Sequence, residues 1–188
     1  EELTKEEAKY VLGAQGNVWT EYMQTPEQVE YMAFPRMIAL SEVVWSSSKN
    51  KNFDDFKNRL EYYQERLDIR NVNYANHLYE VSGNSEIKDG YSFMTLKTSS
   101  KNKTIRYTTD GTEPISSSKV YDTPLRINKN TTIKAASFDK TKQISSVFEQ
   151  TIQMHKAVGK SIALSVLPNV KYNAGGKNAL INGIKGSD

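Results

Sequence analysis

At Glu80 the chain changes its hydrophobic period, and that switch decides what it can fold into. Before it, apolar residues recur every three or four positions; after it they alternate. Thr25-Pro26-Glu27-Gln28 writes a helix start, with Thr25 as N-cap, Pro26 in the first helical position and Gln28 closing a capping box. The apolar positions behind it, Val29, Met32, Phe34, Met37, Ile38, Ala39, Leu40, Val43 and Val44, are too many for one narrow stripe, so this helix expects cover over much of its surface. Pro35 removes a backbone donor inside it, which predicts a kink or two helices meeting at Phe34. After a polar break at Ser46 to Lys51, a second helix runs from Asn52 or Phe53 to Leu67, with Phe53, Phe56, Leu60, Tyr63 and Leu67 as one apolar seam. Asp54-Asp55 complements its dipole, Asn71 stands where a left-handed residue stops it, and 72–79 is a connector.

Beyond Glu80, alternating segments fall near Tyr91 to Thr98, Thr104 to Thr108, Thr131 to Phe138 and Ser145 to Met154. Asp110-Gly111, Asn128 to Asn130 and Asp139 to Lys142 separate them, with no helical signal between. That spacing predicts a small antiparallel sandwich. In TTDGTEP, Asp110-Gly111 is a turn dipeptide and Pro114 ends the hairpin, so this loop reads as structure. Residues 5 to 10 read as the end of a helix or a loop leading into Val11.

The run Val11 to Tyr22, VLGAQGNVWTEY, holds the residues with chemistry to offer. In a strand, Trp19 and Glu21 project to the same side near its C-terminal end. An indole can cover the C–H face of a pyranose while an ionised carboxylate accepts from its hydroxyls. The same two residues fit a plainer account, a core Trp at a strand end and a solvated Glu before a helix.

Several classes are excluded or disfavoured. Twenty-five basic against 22 acidic residues leave +3, and the lysines are scattered, so no nucleic-acid partner is expected. No apolar run reaches the roughly 18 residues of a membrane span. The absence of cysteine removes disulfides, thiolate catalysis and Cys-type zinc sites, and suits a secreted bacterial protein as well as a cytosolic one. His77 and His155 stand singly, so no metal site is expected, nor any cofactor. There is no G-x-S-x-G and no phosphate-cradling loop. At 188 residues the chain accommodates one domain or two small ones, and its acidic opening EELTKEEAKY reads as the middle of something, so a fragment is expected.

GAQGNVWTEY followed by TPEQVEYMAFPRMIALSEVVW resembles the last β/α unit of the catalytic barrel in β-N-acetylhexosaminidases of glycoside hydrolase family 20, over about Leu3 to Tyr74. Members more often read GGQANLWTE, so Ala14, Gly16 and Val18 depart from the pattern without replacing a polar contact. The stretch from Ile105 to Asp139 resembles the immunoglobulin-like C-terminal domain of chitobiases and hexosaminidases, and KYNAGGKNALINGIKGSD resembles the opening of a discoidin-type, galactose-binding-like jelly roll. In that last piece Gly175, Gly176 and Gly183 read as turn makers, and the segment must borrow packing if ordered.

The resemblance implies an α+β chain, a helical remnant of a (β/α)8 barrel followed by an antiparallel immunoglobulin-like β-sandwich. The expected domains are 1–79 from the barrel, 80–155 the sandwich and 156–188 a truncated module. It implies that Trp19 lines the pocket around a terminal N-acetylhexosamine and that Glu21 bonds its hydroxyls, within an exo-acting hydrolase using substrate-assisted retaining catalysis. In the family an Asp-Glu pair does that chemistry; no Asp-Glu dipeptide occurs here, so no catalytic residue is expected in this chain and it should be inactive alone. Expected partners are N-acetylhexosamine-containing glycans, the rest of the barrel and, for the isolated piece, a second copy. An extracytoplasmic location, periplasm or bacterial cell surface, is inferred from the family. The alternative is a non-catalytic carbohydrate-binding or cell-surface scaffold module. Without parallel neighbours the Val11 strand lacks cover, so the first 79 residues should persist mainly as helices, with the Trp19 segment distorted, disordered or paired with a second chain.

Overall fold

A computed structural model describes residues 3–167, 169, 171 and 176–184. The chain divides into two compact units, 1–75 and 76–188. The first is helical, with α1 at Lys5–Ala8, α2 at Pro26–Ala33, α3 at Arg36–Trp45 and α4 at Phe53–Ile69. Local chemistry sets each boundary. Thr25 caps α2: the Gln28 N–H donates to Thr25 Oγ1 at 3.4 Å, and Gln28 Oε1 accepts from the Gln24 and Thr25 N–H groups at 2.6 and 3.3 Å. Pro35 separates α2 from α3, as its missing N–H demands. The Tyr31 carbonyl, which that N–H would have met, accepts instead from Arg36 Nη1 at 3.0 Å, and Met32 O accepts from the same nitrogen at 2.9 Å.

Asn52 caps α4 by accepting from the Asp55 N–H at 3.0 Å. Asn71 closes the other end at φ 54°. Its N–H donates to the Asp68 carbonyl at 3.0 Å and the Val72 N–H to the Leu67 carbonyl at 3.1 Å, a complete Schellman motif. The chain beyond is tied back to α2: Asn73 donates to Glu30 Oε2 and to the Glu27 carbonyl, both at 2.8 Å, and the Ala75 N–H reaches the Phe34 carbonyl at 3.0 Å. The expected α4 seam needs correction. Phe56 and Leu60 are buried together with Glu61 and Gln64, whereas Phe53 is 73% and Tyr63 44% exposed. The buried stripe follows the i, i+4 row from Phe56 through Leu60 to Gln64, and the hydrophobic pattern overran it at both ends.

Arg59 joins α3 to α4. Its Nη1 and Nη2 donate to Glu42 at 3.1 and 2.8 Å, and Nε donates to Asp55 at 2.9 Å. The hydrogen bond from Arg59 holds the Glu42 carboxyl below the usual carboxylate range.

The second unit is the expected antiparallel sandwich, with more strands than the alternation revealed. They are β1 (Ser82–Lys88), β2 (Tyr91–Lys97), β3 (Thr104–Thr108), β4 (Lys119–Val120), β5 (Leu125–Ile127), β6 (Thr131–Asp139), β7 (Lys142–Gln143) and β8 (Phe148–Ile152). One sheet runs β1-β2-β5; in the other β4, β3 and β6 follow in order, and β7 and β8 both pair with β6. Asp89-Gly90 joins β1 to β2, both at positive φ (52° and 76°), the two-residue turn whose twist matches paired strands. Inward side chains of both sheets, Met94, Leu96, Ile127, Ile105, Ile133, Ala135 and Ile152, share one core with Val81. Two serines lie fully buried and satisfied: Ser92 Oγ is 2.7 Å from Ser85 Oγ, and Ser137 Oγ donates to the Tyr79 carbonyl at 2.6 Å.

Residues 176–184 do borrow packing. The Gln153 N–H donates to the Gly183 carbonyl at 2.7 Å, the Gly159 N–H to the Ile181 carbonyl at 3.3 Å, and Ile184 forms an antiparallel bridge with Ile152. Gly176 and Gly183 adopt positive φ, 103° and 73°, as turn makers; Gly175 lies outside the described residues.

Two outcomes follow from this packing. A Cβ on Gly83 would overlap the Phe148 ring and lie 3.0 Å from the Met94 sulfur. Gly83→Ala should cost about 1–3 kcal/mol in urea unfolding, and Phe148→Leu should recover part of that loss in a double-mutant cycle. Glu42→Gln should lower the thermal midpoint at neutral pH. Since the folded carboxyl is depressed, its contribution is complete above the unfolded value of about 4.3 and vanishes as pH falls through the folded one, so the two midpoints should converge in acid.

Candidate functional site

The residues singled out for sugar chemistry lie in the stretch between α1 and α2. No ladder forms there: Val11 to Thr20 has no regular secondary structure and is followed by a turn in which the Met23 N–H donates to the Thr20 carbonyl at 3.0 Å. The period-two argument for a common side therefore does not apply, because a strand's alternation is imposed by its partners and this segment pairs with no strand among the described residues. This agrees with the expected loss of strand geometry. Trp19 comes near the end of this irregular run with 71% of its surface exposed, and Glu21 is exposed within the turn.

Trp19 forms part of the wall of a cavity of about 550 Å³. One side is the chain from Gly16 to Trp19 with Met23; the other is Met32, Met37 and Leu40 of α2 and α3, with Arg36 and Asn17 as its polar members. Gly16 lets the two sides approach, since a Cβ there would stand 3.3 Å from Leu40 Cδ2. Asn17 accepts from Gln15 Nε2 at 2.5 Å, and Arg36 already serves the end of α2. The cavity thus offers an indole and thioethers to an apolar ring face and few convergent hydrogen-bonding groups. Glu21 is not among its lining residues.

Sequence reasoning missed Arg36 as a member of this wall. The sign was present, because the residue after a helix-breaking proline is placed to reach the carbonyls that proline orphans. The Asp110-Gly111 turn has the expected structural role. Asp110 accepts from the Thr112 Oγ1 at 2.6 Å and N–H at 3.1 Å; these bonds lower its pKa and spend the carboxylate on its own turn. His77 and His155 are exposed, and no group of three His, Cys, Asp or Glu among the described residues could hold a metal ion.

Comparison with known proteins places this geometry in context. Residues 1–48 match the family described as glycosyl hydrolase family 20, catalytic domain, and residues 94–152 match the one described as Fn3 associated. A β-hexosaminidase of Porphyromonas gingivalis (strain ATCC BAA-308 / W83) is 38% identical over 138 residues, which is 71% of this chain and 17% of that protein. A β-hexosaminidase of Vibrio vulnificus is 50% identical over 42 residues, 22% of this chain and 5% of its own. An N,N'-diacetylchitobiase of Vibrio harveyi is 38% identical over 58 residues, 31% and 6% respectively. The chain therefore matches under a fifth of the length of each of these relatives.

Proposed function

Residues 1–48 make the chain part of glycosyl hydrolase family 20, and on that premise we propose that it is the C-terminal portion of an exo-acting β-N-acetylhexosaminidase. In this reading residues 1–79 complete a (β/α)8 catalytic barrel, 80–155 form an accessory sandwich and 156–188 begin a galactose-binding-like module. One observation carries it: the catalytic-domain match runs through Trp19, Glu21 and both helices behind them. The state of the preceding run supports it. Val11 is 56% and Leu12 100% exposed, an apolar run outside any ladder, as expected of a barrel strand whose parallel neighbours are elsewhere.

Trp19 covers the C–H face of a terminal N-acetylhexosamine, and Glu21 accepts hydrogen bonds from its hydroxyls. Catalysis is substrate-assisted. A glutamic acid protonates the leaving oxygen while an aspartate orients the acetamide, whose oxygen attacks the anomeric carbon; water then opens the cyclic intermediate with net retention. This sequence contains no Asp-Glu dipeptide, so that pair comes from barrel strands outside these 188 residues. The substrates are glycans ending in N-acetylhexosamine, met outside the cytoplasm.

In the parent enzyme, Trp19→Ala and Glu21→Gln should each cut hydrolysis of a chromogenic N-acetylglucosaminide about tenfold or more, the scale of one lost stacking or charge-assisted contact. Wild-type rates in both variants would end the assignment. The 188-residue chain alone should show no turnover in the same assay.

A further inference from the structure

We propose that the groove between the outer edge of β1 and the segments 159–160 and 178–184 binds a neutral, hydroxyl-rich oligosaccharide. The groove encloses about 630 Å³ and lies wholly within the second unit. That volume falls within the range of about 300–1,000 Å³ usual for ligand sites. Its polar members come from separate parts of the fold: Asn84 and Glu86 from β1, Asp89 from the hairpin turn, Lys160, and Asn178 and Asn182 from the returning tail.

These side chains are poised for an external partner. Those of Asn84, Glu86, Asp89, Lys160 and Asn178 make no hydrogen bond or ion pair among the described residues, and Asn182 spends only its Oδ1, on the Ile184 N–H at 2.9 Å. Asn84 and Asn178 each bring a free donor and acceptor on one rigid plane and Asn182 a free donor, the complement of adjacent sugar hydroxyls, which also donate and accept. Two carboxylates against one ammonium leave the groove at about −1, which disfavours a phosphate or an acidic glycan. The far wall is held in place by the bonds from Gln153 to Gly183 and from Gly159 to Ile181, so binding need not order it first. Ile87, Ile181 and Ile184 are aliphatic members of the groove's lining.

The choice of N-acetylglucosamine oligomers as probe rests on the hexosaminidase reading; the groove's chemistry stands apart from it. Titrating the 188-residue chain with an N-acetylglucosamine tetramer and, separately, a neutral glucose tetramer, followed by amide chemical shifts, should show saturable changes at Asn84, Glu86, Asn178 and Asn182 with at least one of them. Asn84→Ala/Asn178→Ala changes two exposed side chains and should weaken binding about tenfold at an unaltered thermal midpoint. No saturable shift with either sugar, or binding indifferent to the double variant, would overturn the proposal. So would shifts confined to the neighbourhood of Trp19, an outcome that leaves the hexosaminidase reading standing. Protection of the β1 amides by an extended peptide and by neither sugar would reassign the groove to strand addition and reject it as well.

Discussion

The second unit depends on two thin sheets sharing one apolar layer. Neither sheet could persist alone: β5 has three residues, β4 and β7 two each. Alternation places Met94 and Leu96 of one sheet against Ile105, Ile133, Ala135 and Ile152 of the other, all nearly or fully shielded from water. The approach is close enough at its margin that Gly83 must have no side chain, because the Phe148 ring occupies that space. Main-chain pairing fixes the register, and burial of this layer supplies the driving force.

The helical unit follows a different rule, in which nearly every boundary is set by finding a partner for an orphaned backbone group. Thr25, Asn52 and Asn71 act within a turn of themselves, and Arg36 substitutes for the donor that Pro35 lacks. The same rule leaves Val11 to Thr20 without regular structure, since an extended segment can satisfy its amides only through a neighbour.

These rules explain what could be read from the residues. Caps, the proline break and the Asp110-Gly111 turn were legible because their partners are a few positions away. β1 was not, because Ser82–Lys88 is polar and becomes a strand only by pairing with β2; Asp89-Gly90 was its one local sign. The Arg59–Glu42 pair joins residues 17 apart and leaves no trace in either helix's own pattern. Trp19 and Glu21 stand out by type and resemblance alone, and their relative direction was not legible, because it depends on strand partners that the segment lacks among the described residues.

The docking of Gly183 and Ile184 onto β8 has a consequence for solubility. β8 pairs with β6 along one side, and its other side would present bare amides to any second molecule with a strand to offer. The bridge to Ile184 and the bond into Gly183 occupy the C-terminal end of that side within the same chain, which shortens the stretch of β8 left open to a second molecule. On β1 the exposed charged side chains of Glu86 and Lys88 disfavour such pairing through their hydration.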